Sequence, residues 1–251
     1  MAHGYHALQH WNQWLHRHFL GQHLLGAETV LLAELLKRHF GKHAVLLGVP
    51  QQHGLLNASV IPIHTLISPL AHREERQGEI EANFQDVPIL TGSVDLVILP
   101  HTLEFVEHPR HLLAEACRIL KPEGLIVITG FNPVSLWGMK KLLSRQKMAP
   151  WSGNFIRAHK IKNWLSLSDF QMEEHKAFLF RPPVTNEKIF KSLNFMERVG
   201  RIMCPVFGGA YIVVARAKVI PLTPIRMQWK QRLSNLRISP TITGTIARRS
   251  E

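Results

Sequence analysis

The run from Val94 to Thr129 constrains the fold more than any other part of the chain. "VDLVIL" is apolar with almost no alternation, which is typical of a strand buried on both faces of a sheet. Pro109 suits the first turn of a helix, and the residues after it form an apolar stripe at helical spacing. "KPEG" then predicts a type I turn, and "LIVIT" predicts a second buried strand. These segments make one strand, helix, strand crossover, which joins parallel strands with right-handed topology.

The rest of the chain extends this pattern. After Gly41, short apolar strands alternate with helical segments, and leucines at helical spacing before Gly41 predict one or two N-terminal helices. We therefore predict an α/β domain over residues 42–217, with a seven-strand, mostly parallel sheet covered by helices on both faces, after a helical extension over 1–41. The further predicted strands are "HAVLL", "ASVIPI", "EIEANF", "QMEEHKAFLF" and "AYIVVARA", and the further helices cover 133–143, 159–167 and 187–203.

Basic residues are concentrated at the end of the chain. The formal charge is +12, and the segment from Arg216 to Glu251 accounts for +7 of it with eight Lys or Arg residues and one Glu. With three prolines and no pattern of core residues, residues 218–251 are predicted to form a basic, mostly disordered tail. Its charge could contact phosphates of RNA, DNA or anionic lipid, or it could simply keep the protein in solution.

Neither a membrane span nor a metal site is predicted. Uninterrupted apolar runs are far shorter than the roughly 20 residues that cross a bilayer, and the N-terminus lacks the apolar block of a signal peptide, so we expect a soluble, cytoplasmic protein. His6 and His10 lie one helical turn apart, and His108, His111 and Glu115 follow one another at intervals of three and four residues. Either set could bind a metal from one face of a helix, but solvated helix surfaces explain both sets as well.

The loops after the strands carry a family resemblance, and in an open α/β sheet these loops bind the ligand. "ANFQDVPILTGSVDLVILPHTLEFVEHPRHLLAEACRILKPEGLIVITGFNP" resembles the central part of class I S-adenosylmethionine-dependent methyltransferases of the small-molecule type. The matching places are Asn83, "QDVP", "VDLV", "HTLEFVEHP" and "LKPEG", and "YIVVARA" resembles the family's final strand. "GFNPVSLWGMKKL" resembles a branch of uncharacterised proteobacterial proteins of the YafS type. The resemblance implies a Rossmann-like methyltransferase fold with an antiparallel last strand.

The same resemblance implies S-adenosyl-L-methionine as the cofactor. Gly48 stands at the first glycine of the family's cofactor loop and is a candidate cofactor contact, although an ordinary strand-to-helix turn would also use it. Leu46 replaces the usual acidic residue, and Pro50 and Gln52 replace the second and third glycines. The carboxylate that the family places after strand two is missing, with His64 or Thr65 nearest to its place.

Further candidates follow strands three, four and five. Asn83 can pair with an adenine edge, as can the main-chain N–H of Phe84, although both could be turn and core residues. His101 would face the cofactor's methyl group and could act as a general base, and Glu104 could orient a substrate amine or hydroxyl. The acceptor-side candidates are Phe131, Asn132 and Trp137, for which a helix cap at Asn132 and a core position at Trp137 are the alternatives.

Two hypotheses about function follow. The first is methyl transfer from S-adenosyl-L-methionine to a small-molecule or other unknown acceptor, by an enzyme with an altered cofactor loop. The second is a catalytically inactive methyltransferase-fold protein that acts as a binding or scaffold module and contacts nucleic acid through its tail. An open cleft between Gly48, Asn83 and His101 favours the enzyme, whereas a crevice filled by Pro50, Gln52 or Phe84 favours the binding module.

Overall fold

Residues 2–70, 77–144, 148–203 and 205–218 are described by a computed structural model of the chain. Apart from its first residue, the predicted basic tail over 218–251 lies outside these ranges. Its predicted partners therefore stay predictions.

Seven strands form one mixed sheet in these ranges, in the spatial order β3-β2-β1-β4-β5-β7-β6. The first five strands pair in parallel, and β7 runs antiparallel between β5 and β6. The prediction of a mostly parallel seven-strand sheet with an antiparallel last strand is confirmed. The strands are β1 (His43–Leu47), β2 (Ile63–Ser68), β3 (Glu79–Glu81), β4 (Val94–Pro100), β5 (Leu120–Phe131), β6 (Phe170–Phe178) and β7 (Ala210–Ala217).

Seven α-helices and three short 3-10 helices lie in the described ranges. The α-helices are α1 (Ala2–Arg17), α2 (Phe19–Leu36), α3 (Pro109–Ile119), α4 (Leu136–Leu143), α5 (Ala158–Leu167), α6 (Glu187–Ser192) and α7 (Phe195–Met203). Short 3-10 helices cover Pro50–Ala58, Thr102–Glu104 and Pro205–Phe207. The one helix predicted over 187–203 is in fact two helices, because the helical hydrogen bonding is interrupted before Phe195. Asn194 lies in this interruption, and its side chain accepts a hydrogen bond from Arg181 at 2.7 Å.

One predicted strand and one predicted turn need correction. "ASVIPI" is not the second strand: β2 begins at Ile63, directly after Pro62, because proline has no N–H to donate to the ladder. His64 and Thr65 therefore lie in the first half of β2, not beyond its end. "KPEG" interrupts the pairing of β4 with β5 as a bulge within β5, where Glu123 has a left-handed φ of 64°.

The order of the strands places a ligand crevice at one point. From β1 the sheet continues to β2 on one side and to β4 on the other, so the strand order reverses between β1 and β4. Ligands of open α/β sheets bind outside the carboxyl ends of the strands at such a point.

Helix α2 has the burial of a core helix. Within the described ranges it is the one helix that is long and apolar enough to cross a membrane, by length and composition alone. Leu24, Leu32 and Leu36 are nevertheless fully buried in the protein.

Candidate functional site

The crevice between the ends of β1 and β4 is filled by the side chain of Gln52. Its Nε2 donates to the carbonyl oxygen of Pro100 at 2.8 Å, and its Oε1 accepts from the N–H of Val49 at 3.0 Å. Gln52 is completely buried. A Cβ on Gly48 would lie 2.6 Å from Gln52 Oε1, so this glycine makes room for Gln52 and not for an open cradle.

Thr102 closes the same end of the crevice. Its Oγ1 lies 2.6 Å from the carbonyl oxygen of Leu47, to which it donates, and 3.2 Å from that of Pro100. Together Gln52 and Thr102 use the last carbonyl groups of β1 and β4, which point into the crevice. These backbone groups are therefore already satisfied by the protein itself.

The altered loop explains why Gln52 lies there. Pro50 occupies the first turn of the 3-10 helix Pro50–Ala58, where its fixed φ and missing N–H are tolerated. Gln52 follows Val49 at the position whose side chain reaches back to the backbone N–H of the helix cap. A Gln three residues after a helix cap is a sequence signal for this hydrogen bond, but the sequence-based prediction did not use it.

A buried cluster of charged side chains lies beside Gln52. His101 is completely buried in a left-handed conformation, with φ 56°. Its Nδ1 donates to Glu104 Oε2 at 3.0 Å, and its Nε2 lies 3.2 Å from Glu28 Oε1, without the alignment of a hydrogen bond. The Glu28 oxygen also accepts from Thr129 Oγ1 at 2.5 Å, and Glu104 Oε1 accepts from the N–H of Phe131 at 2.7 Å.

His101 carries a proton on each ring nitrogen, because both neighbours are carboxylates that only accept. Burial lowers the pKa of His101, but the charges of Glu28 and Glu104 outweigh it and raise this pKa to about 9. Burial raises the pKa of Glu104, against the opposing effect of His101. The His101–Glu28–Glu104 cluster is thus an internal ion pair network, and His101 is not accessible as a general base.

The N-terminal helices cover this cluster. Trp11 of α1 is 1% exposed and stacks on Phe105, with ring centroids 4.6 Å apart. It also meets Phe131 edge-on at 6.0 Å and lies 5.5 Å from the His101 ring. Trp11 and Glu28 are absent from the sequence-based prediction, whereas Gln52 is one of the three residues that it named as able to fill the crevice. The crevice that was expected to hold the cofactor is occupied by these side chains.

The acceptor-side candidates also have structural contacts. Trp137 is buried, stacks on Phe131 at 5.4 Å and donates from Nε1 to the carbonyl oxygen of Arg181 at 2.9 Å. Asn132 does not cap α4. Its side chain accepts from the N–H of Val134 and donates to the carbonyl oxygens of Val206 and Gly208, whereas Ser135 is the cap.

Asn83 and Phe84 line an open cleft of about 750 Å³. Asn83 is exposed and accepts from the N–H of Gln85 at 3.1 Å, while Phe84 is 5% exposed. The cleft lies between the start of α1 and the loops after β2, β3 and β4, and neither Gly48 nor His101 is among its lining residues. Glu81 at the end of β3 also lines it and supplies a carboxylate that was not predicted.

A second cleft of about 550 Å³ shares Val106 and Glu107 with the first. Trp164 forms part of its wall, with the Arg110 guanidinium 5.2 Å and the Lys160 ammonium 5.3 Å from the ring centroid. Such cation-π pairs leave a basic, aromatic lining. Within the described ranges, no three His, Cys, Asp or Glu side chains are placed to hold a metal ion.

S-adenosyl-L-methionine does not fit this arrangement of residues. The adenine end, at Asn83 and Phe84, is open. The amino-acid end, at Gly48, is filled by Gln52, which also takes the carbonyl group of Pro100. The four candidate cofactor contacts are therefore divided: Asn83 and Phe84 line the open cleft, and Gly48 and His101 lie in the filled crevice.

Comparisons with known proteins agree with the fold. Residues 50–128 match the family model described as "Methyltransferase domain". The uncharacterized protein YafS of Escherichia coli (strain K12) is 33% identical over 171 residues, which are 66% of this chain and 65% of YafS. The ubiquinone biosynthesis O-methyltransferase of Glaesserella parasuis serovar 5 is 26% identical over 111 residues, 41% of this chain and 47% of that enzyme. The chain thus spans less than two thirds of these relatives.

Solved structures share the architecture at low sequence identity. A chain of the complex between the Haloferax volcanii Trm112 methyltransferase activator and a methyltransferase has a TM-score of 0.62 at 14% identity, over 85% of this chain and 98% of that chain. A SAM-dependent methyltransferase from Thermotoga maritima has a TM-score of 0.57 at 16% identity, over 84% and 99%. Identities this low show a common fold.

Proposed function

We propose that the α/β domain of this chain binds a ligand without transferring a methyl group. The match of residues 50–128 to the methyltransferase-domain family model and the shared fold agree with the resemblance found in the sequence. The observation that carries the proposal is the buried side chain of Gln52. It makes two hydrogen bonds in the place where the family's loop leaves space for the cofactor's amino-acid end. A domain closed at this end cannot hold the methyl donor in the usual position, and methyl transfer depends on positioning.

We expect the ligand to be a nucleoside of the adenosine class, which carries a planar base and a ribose. The open cleft offers the Glu81 carboxylate at the end of the edge strand β3 and the Asn83 amide just after it, with Tyr5, His6 and His111 as ring-bearing neighbours. An amide can pair with a base edge, and a carboxylate can accept two hydroxyl protons from a ribose. The cytoplasm is the proposed location.

Methyl transfer is the second candidate function. It is favoured by the match to the methyltransferase-domain family model and by the ubiquinone biosynthesis O-methyltransferase that is 26% identical over 111 residues. It requires Gln52 to leave the crevice when the cofactor binds. The acceptor then would reach the cofactor from the second cleft, whose lining is basic and aromatic.

The affinities for adenosine and for S-adenosyl-L-methionine distinguish the binding-only function from methyl transfer. We expect adenosine to bind the full chain at least about tenfold more tightly than S-adenosyl-L-methionine, because the methionine part meets Gln52. Gln52→Gly restores the family's third glycine and removes the filling side chain, so in this variant we expect S-adenosyl-L-methionine to bind more tightly than adenosine. Isothermal titration calorimetry measures both affinities.

Gln51→Gly is the matched control. Gln51 is the exposed neighbour of Gln52 in the same 3-10 helix, so this variant adds the same backbone freedom without opening the crevice. It should keep the order of affinities of the unmodified chain. Tighter binding of S-adenosyl-L-methionine than of adenosine by the unmodified chain would refute the binding-only proposal. Formation of S-adenosylhomocysteine in a cell extract, which supplies acceptors for the methyl group, would establish methyl transfer.

A further inference from the structure

Helix α7 does not pack on the protein through its most apolar face. Glu197 points inward: its Oε2 accepts from the N–H of Phe180 at 3.2 Å, and its Oε1 lies 3.4 Å from Arg181 Nε. A Cβ on Gly200 would lie 2.6 Å from the Phe180 side chain, so the Gly200 side of the helix also lies against the protein. The contact face of α7 therefore includes an acidic residue and a glycine, beside the half-buried Met196.

The apolar residues of α7 face away from the protein. Phe195, Val199 and Ile202 fall within an arc of about 60° on the helix and are 62%, 46% and 78% exposed. Val206 and Phe207, in the next turn of the chain, are 73% and 56% exposed. An amphipathic helix normally buries such residues, and exposed apolar residues grouped in this way are typical of interaction surfaces. We call these five residues the α7 strip.

The charges beside the α7 strip are positive. Arg198 is exposed at the border of the apolar arc and Arg201 is exposed farther round the same helix, whereas the one acidic residue of α7 is turned inward against Arg181. The chain carries a formal charge of +12, of which residues 216–251 contribute +7. Apolar side chains flanked by arginines on a surface helix are typical of binding in the headgroup region of an anionic bilayer.

We propose that the α7 strip attaches the protein to the surface of an anionic phospholipid membrane. In this arrangement Phe195, Ile202 and Phe207 enter the region between headgroups and acyl chains, and the two arginines bind lipid phosphates. The attachment is peripheral, and it needs no helix to cross the bilayer. It does not depend on which ligand the methyltransferase domain binds.

Vesicle sedimentation tests the attachment with the full chain. The probes are vesicles of 30 mol% phosphatidylglycerol in phosphatidylcholine and vesicles of phosphatidylcholine alone. We expect the protein to sediment with the anionic vesicles and to bind the neutral ones much less. Phe195→Ser combined with Ile202→Ser should weaken binding to anionic vesicles roughly tenfold or more, because two apolar side chains are lost from the bilayer contact.

Leu90→Ser combined with Leu167→Ser is the matched control, since it removes two other exposed apolar side chains, 78% and 84% accessible, away from α7. It should bind anionic vesicles within about twofold of the unmodified chain. Equal binding by the Phe195 and Ile202 variant would overturn the proposal, because attachment would then come from the basic tail alone. A protein that stays in solution and forms a dimer that this variant dissociates would also overturn it, in favour of a second copy of the chain.

Discussion

Replacement of His101 by asparagine should lower the free energy of unfolding by about 3–5 kcal/mol, which is the usual loss when a buried ion pair loses one partner. His101 is the cation between Glu28 and Glu104, and all three side chains are buried. Without it, two carboxylates face each other in the protein interior. Asparagine tolerates the left-handed backbone at this position, so the loss reports the charge and not the backbone. Urea denaturation at pH 7 measures it.

His111→Asn is the matched control, because His111 is an exposed histidine on α3. It should change the free energy of unfolding by less than about 0.5 kcal/mol. Combining His101→Asn with Glu28→Gln removes one of the two facing carboxylates, and this double variant should be more stable than His101→Asn alone. A loss below about 1 kcal/mol for His101→Asn, or no recovery in the double variant, would contradict a charged cluster.

The stability of the protein should fall as the pH rises from 7 to 9. The pKa of His101 is raised to about 9 in the folded protein, from 6.5 in an unfolded chain. Its contribution is therefore complete below pH 6.5, where both states bind the proton, and is lost as the pH rises through 9. The shift corresponds to roughly 3 kcal/mol.

Urea denaturation at several pH values measures this slope, and two variants of α2 identify its source. Glu28→Gln removes one of the two carboxylates that hold the His101 proton, so we expect the decrease in stability between pH 7 and 9 to shrink by about half or more. Glu34→Gln changes an exposed carboxylate of the same helix, which pairs with Lys176 at the surface. It should keep the full slope. The cluster is not the source if both variants show the same slope as the unmodified chain.

The sheet could be predicted because its signals are local. The buried strand "VDLVIL", the helix that begins at Pro109 and the strand "LIVIT" each show their structure within a few residues, and the crossover rule then joins them. The errors occurred where a local rule was incomplete. A helical pattern over 187–203 did not show the break at Asn194, and an apolar run before Pro62 suggested a strand that begins only after it.

A crevice filled by Gln52 was one of the alternatives left open by the sequence, and it could not be chosen because the contacts that decide it are distant in sequence. Glu28 and Thr129 meet across 101 positions, and Gln52 reaches Pro100 across 48. The missing glycines indicated that the loop was altered, but not that Gln52 would make hydrogen bonds in their place. His101 shows the same limit: its place after β4 suggested a base in a cleft, and its burial depends on Glu28 and Trp11 from the N-terminal helices.

The bridge that Gln52 makes between β1 and β4 also sets the affinity of any ligand that must enter behind it. Opening requires the loss of two buried hydrogen bonds, each worth about 1 kcal/mol, so only about one molecule in thirty would be open at a given moment. A ligand that binds only the open form would show an apparent dissociation constant about thirtyfold above its intrinsic one. A compound that displaces the Gln52 amide and replaces both of its hydrogen bonds would avoid this loss. The most complementary molecule for this end of the sheet is therefore one that carries a primary carboxamide of its own.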